Sequence, residues 1–98
     1  MAKLQVALGD GFDQDAVAVS IDGVEVFRKD GVTTRTQISL AESFEVEAPD
    51  RSAELRIEVP SRGVSDTVSV DARERPVVTL SLRDGAIQAR FPERLGFA

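Results

Sequence analysis

Three aspartates, Asp10, Asp13 and Asp15, fall within the short run Gly9-Asp10-Gly11-Phe12-Asp13-Gln14-Asp15. Carboxylate oxygens at that density suit calcium, which takes about six to eight oxygen ligands. The two glycines let the backbone fold tightly around such an ion. Asp13 and Asp15 keep the every-second-residue spacing of a helix–loop–helix calcium loop, but that loop's glycine and closing glutamate are missing here. Asp and Gly are equally the residues of a solvated turn between strands. The two readings stand side by side: a calcium site on Asp10, Asp13 and Asp15, or a plain turn. No other cofactor is expected.

Phe12 sits in the middle of this polar run. It is either a plug folded back under the loop or an exposed anchor for a partner. The tail Phe91-Pro-Glu-Arg-Leu-Gly-Phe97 poses the same choice, with Leu95 and Phe97 covering a sheet edge or touching another molecule.

Little else in the chain suggests catalysis. Histidine and cysteine are absent, so histidine-activated serine or cysteine nucleophiles cannot be built, and no thiolate site or disulfide can form. The two lysines, Lys3 and Lys29, lie near the terminus and in a turn, where nothing suggests a depressed pKa. Most acids alternate outward along strands rather than facing each other. A non-enzymatic chain is the expectation. Tryptophan and tyrosine are also absent, which removes the usual flat platforms for sugars. Net charge is −5 with both signs interspersed, so no basic stripe offers itself to nucleic acid.

The elements that must position these residues read as strands. Apolar side chains recur at every second position almost throughout, as in half-buried strands. Val17, Val19 and Ile21 share one face, Asp22-Gly23 turns the chain, and Val24 to Phe27 runs back. Asp-Gly between two such runs predicts a type I′ hairpin, because both central residues must take positive φ. Asp84-Gly85 predicts a second, joining Val78, Leu80 and Leu82 to Ile87, Ala89 and Phe91. Between them, Ala53, Leu55, Ile57 and Val59 alternate with Glu54, Arg56 and Glu58, the pattern of an antiparallel strand with one wet face. Phe44, Val46 and Ala48 alternate with glutamates until Pro49-Asp50, and Val64, Val68 and Val70 alternate around Asp66. Lys29-Asp30-Gly31 predicts a turn, Thr33 to Leu40 a threonine-rich strand, and Leu40 to Ser43 one helical turn at most. Outward rows of Thr34 and Thr36, Thr67 and Ser69, and Thr79 and Ser81 suit solvent, a packed sheet or edge pairing between chains.

About eight short strands, with turn signals every 8–12 residues, predict a single all-β domain. The expected architecture is a two-sheet antiparallel β-sandwich over residues 1–98, Greek-key and Ig-like or prealbumin-like. The true antibody subclass is excluded, since it needs tryptophan and cysteines that are absent. The segment Val17-Ala-Val-Ser-Ile-Asp-Gly-Val-Glu-Val-Phe27, followed by Gly31-Val-Thr-Thr34 and Phe44-Glu-Val-Glu-Ala-Pro49, resembles the PEGA and transthyretin-like small β-sandwich modules. The resemblance covers about a third of the chain and lacks the Pro-Glu-Gly-Ala signature of the first family. It implies a sandwich and an accessory or binding role. The expectation is therefore a protein-binding or self-associating (homo-oligomeric) module, with no nucleic-acid or membrane partner. With no signal-peptide core and no span of about 20 apolar residues, a soluble cytoplasmic location is expected.

Overall fold

Alternation turns Leu4, Val6, Leu8, Val17, Val19, Leu55, Ile57, Val59, Val78 and Leu80 into one core in which each is essentially buried. The computed structural model describes residues 2–35, 37 and 40–92. Its strands are β1 (Ala2–Leu8), β2 (Asp15–Ile21), β3 (Val24–Val32), β4 (Glu42–Ala48), β5 (Ala53–Val59), β6 (Val64–Val70), β7 (Val77–Arg83) and β8 (Ala86–Arg90). A 3-10 turn, Pro60–Arg62, joins β5 to β6, and Gly63 ends it in the left-handed region (φ 64°). Two four-stranded sheets result, ordered β4-β1-β7-β8 and β3-β2-β5-β6. The expected all-β two-sheet sandwich is what forms. Among the described residues, no helix is long and apolar enough to cross a membrane.

Both Asp-Gly hairpins form as expected. Asp22 and Gly23 have φ of 48° and 82°, and Asp84 and Gly85 have 51° and 74°, the paired positive values of a type I′ turn. The strand with the clearest alternation, β5, sits between β2 and β6, with Leu55 and Ile57 inward and Glu54 and Arg56 outward.

Four expectations are corrected. β1 was not anticipated, although Leu4, Val6 and Leu8 alternate; it pairs antiparallel with β4 and parallel with β7. One sheet is therefore mixed. A parallel pair needs a long crossover, and here the whole second sheet lies between β1 and β7 in sequence. Lys29-Asp30-Gly31 is not a turn but a bulge inside β3, where Asp15 and Val17 face Val32 and Lys29. The extra residue is accommodated by Gly31 at φ 69°, as bulge geometry requires. The expected strand from Thr33 reduces, among the described residues, to one bridge between Arg35 and Leu40; Thr36 and Ile38 lie outside the described residues. In place of a helical turn, Glu42 and Ser43 already belong to β4.

The two flanks of the sandwich are built differently. On one, the outer strands β3 and β4 of opposite sheets are clasped by the parallel rings of Phe27 and Phe44, 4.1 Å apart at their centroids. Lys29 Nζ, donating to Glu42 Oε2 at 2.6 Å, closes the same flank. On the other, β6 and β8 approach each other, with Val64, Val68, Ile87, Ala89 and Phe91 half-buried against the core.

Candidate functional site

Crossing from one sheet to the other between β1 and β2, residues 9–14 cap one end of the sandwich. The parallel ladder of β1 and β7 continues into this cap. Gly9 N–H donates to the Leu80 carbonyl, and Leu82 N–H to that of Asp10, both at 2.8 Å. The contact is close enough that a Cβ on Gly11 would lie 1.7 Å from the Leu82 carbonyl oxygen. Glycine is required there by space and by its φ of 95°. Thr34 staples the cap from the other side. Its hydroxyl donates to the Gly9 carbonyl at 2.7 Å and accepts from Phe12 N–H at 3.0 Å, and its own N–H donates to the Phe12 carbonyl. Thr34 therefore does not face solvent as an outward strand position: its hydroxyl is taken up within the chain, by a partner 25 residues earlier.

Within this cap the three aspartates go separate ways. Asp10 is half-exposed and its carboxylate faces Arg83 Nη2 at 3.4 Å. Asp13 is exposed. Asp15 is the one buried charged residue among those described, with 2% of its surface exposed. Its Oδ1 accepts from Ser61 Oγ at 2.7 Å and from Arg62 Nε at 3.0 Å, and its Oδ2 from Asp13 N–H at 2.9 Å. Arg62 also reaches the Gly11 carbonyl at 3.4 Å. Burial works to raise the Asp15 pKa, but the Asp13 amide, the Arg62 guanidinium and the Ser61 hydroxyl together hold it below the usual carboxylate value. A buried charge is tolerated when it is paired and hydrogen-bonded in this way. Among the described residues, no group of three acidic side chains is placed to hold a metal ion. The chemistry of this end is that of a pinned loop.

Phe12 is 3% exposed and packs in the core. It is the plug of the two alternatives and offers a partner no surface. Leu95 and Phe97, the other two expected contact residues, lie outside the described residues.

Sequence reasoning passed over the edges. Natural sheets blunt an edge with bulges, inward-pointing charges or short strands. β3 carries two register shifts and the inward Lys29, which lies opposite the core residue Val17. β4 carries Glu42, turned inward to meet Lys29. β6 carries Asp66 opposite the core residue Ile57. β8 has an unbroken register on β7 and no charge on its inward positions, Ile87 and Ala89. Among the described residues, its shortness is the one such device it carries. The signal was present in the alternation of Ala86 to Arg90, but which strands lie outermost is decided by non-local pairing. The chain matches no protein-family model, no curated protein and no solved structure.

Proposed function

We propose that this chain is a non-catalytic contact module that associates through the outer edge of β8, with a second copy of itself as the partner. The observation that carries the reading is the difference between β8 and the three other edge strands, each of which bears a bulge or an inward charge. Arg83 and Ala86 close a two-residue hairpin, so hydrogen-bonding pairs recur at every second residue from there. That alternation turns the main-chain groups of Ile87 and Ala89 away from β7, the direction in which a further strand would add.

A second β8 laid antiparallel about Gln88 sets Ala86 opposite Arg90 and Ile87 opposite Ala89. No like charges face each other, and the contact is self-complementary, as a two-fold dimer requires. Sedimentation velocity is expected to show a concentration-dependent dimer. Ala89→Pro removes one outward N–H, a change an edge strand accepts, and is expected to give monomer with an unchanged far-UV spectrum. Wild-type chain that stays monomeric up to about 1 mM, where a contact of only about 4 kcal/mol would show, sinks the proposal.

A further inference from the structure

Six arginines, Arg28, Arg51, Arg56, Arg62, Arg73 and Arg83, each lie against a carboxylate. Arg75 and Arg90 do not. Among the described residues neither guanidinium meets an acidic group, and the two line one cleft at the end of the sandwich opposite the aspartate cap. The remaining described arginine without such a partner, Arg35, lies elsewhere, in the connection before β4. In a chain of net charge −5, two unneutralised cations sharing one cleft are a local reversal of sign.

The cleft has a fixed geometry. Arg75 Cζ sits over the Phe91 ring, 5.1 Å from its centroid, a cation–π contact that orients the guanidinium without neutralising it. The preceding corner is held by Asp71, whose carbonyl accepts from the N–H groups of Glu74 and Arg75 at 3.2 and 2.8 Å. The Asp71 carboxylate is itself taken by Arg73. Pro76 and Pro92 complete an apolar floor around Phe91, and among the described residues Glu74 is the one acid on the lining, which leaves one net positive charge among them.

We infer that this cleft receives a carboxylate side chain from an acidic, extended segment of a partner protein, with a neighbouring apolar side chain resting on Phe91 and the two prolines. Arginine's planar fork matches a carboxylate in two parallel bonds. The cleft is open to solvent on one side. It suits one side chain of a peptide rather than a small molecule, whose sites enclose most of the ligand. A nucleic-acid backbone is disfavoured by the overall negative charge. This inference goes beyond the β8 edge, since it rests on side-chain charge and not on main-chain pairing.

The test is a nitrogen-15 NMR titration of the full chain with the acetylated, amidated tripeptide Glu-Phe-Glu, and with Gln-Phe-Gln as the neutral probe. The arginine Nε–H signals of Arg75 and Arg90 are expected to shift together and saturably, with a Kd on the order of 1 mM. Arg75→Gln or Arg90→Gln should weaken binding at least about fivefold, and Arg56→Gln, on the other sheet, should leave it unchanged. Equal binding of the neutral tripeptide, equal weakening by Arg56→Gln, or no saturable shift overturns the inference. A dimer that ignores the acidic probe overturns it and leaves the β8 reading intact; a monomer that binds the probe does the reverse.

Discussion

Asp15 shows how a sequence motif suggestive of ligand binding is spent on structure. Its carboxylate takes hydrogen bonds from a neighbouring amide and from Ser61 and Arg62, which arrive from the far side of the chain. Truncation leaves those donors facing a gap, the costly half of the hydrogen-bond asymmetry. Asp15→Ala is expected to lower unfolding free energy by about 2 kcal/mol, measured by urea denaturation at neutral pH. The pH dependence has a definite sign. The Asp15 pKa is lowered in the folded chain from its ordinary value of 3.8. Stability from this group is therefore fully present above that ordinary value and is lost as pH falls through the lowered folded one. The gap between wild type and Asp15→Ala should hold constant from neutral pH to about pH 5 and narrow only below about pH 4. A gap that shrinks already near neutrality would contradict the assignment.

At the scale of elements, the two flanks of the sandwich are held differently. Phe27 and Phe44 stand on outer strands of opposite sheets, and their rings bridge the seam that backbone hydrogen bonds cannot reach. Aromatic pairs contribute about 1 kcal/mol beyond buried area. A double-mutant cycle with Phe27→Leu and Phe44→Leu is expected to give a coupling of about that size, and a coupling near zero would show that each ring packs independently. What was legible in the sequence divides along the same line. The Asp22-Gly23 and Asp84-Gly85 turns and the wet-faced β5 were readable because φ preference and side-chain period are local properties. β1 was passed over: in Leu4-Gln-Val-Ala-Leu8 the outward Ala7 is apolar, and it is buried at 1% exposure, so the alternation is blurred. The Phe27–Phe44 clasp, the bulge at Gly31 and the Asp15–Arg62 pair, 47 residues apart, depend on which strands become neighbours. Local pattern does not carry that information. Of the candidate site, the aspartates were legible as a tight loop, but the partners that occupy them were not.

For the whole molecule, the question is whether the excess of negative charge acts as a site or as a diffuse field. Asp10 faces Arg83 and Asp15 is held by Arg62, so calcium would have to break two ion pairs to collect ligands in the cap. It would also have to supply the strong binding that such a rearrangement demands, from a loop pinned against Leu80, Leu82 and Thr34. A net charge of −5 still draws divalent cations into the surrounding ion atmosphere. That attraction depends on valence, not on ligand geometry, and is screened beyond about 8 Å at physiological salt. Calcium and magnesium should therefore raise the melting temperature equally and slightly at low ionic strength. Both effects should vanish in about 0.15 M sodium chloride. Differential scanning fluorimetry with the two ions in parallel makes the comparison directly, because a true oxygen cage would favour the larger, more flexibly coordinated calcium. A calcium-specific rise that survives the salt would mean the cap reorganises into a metal site, with Asp10 and Asp15 released from their arginines.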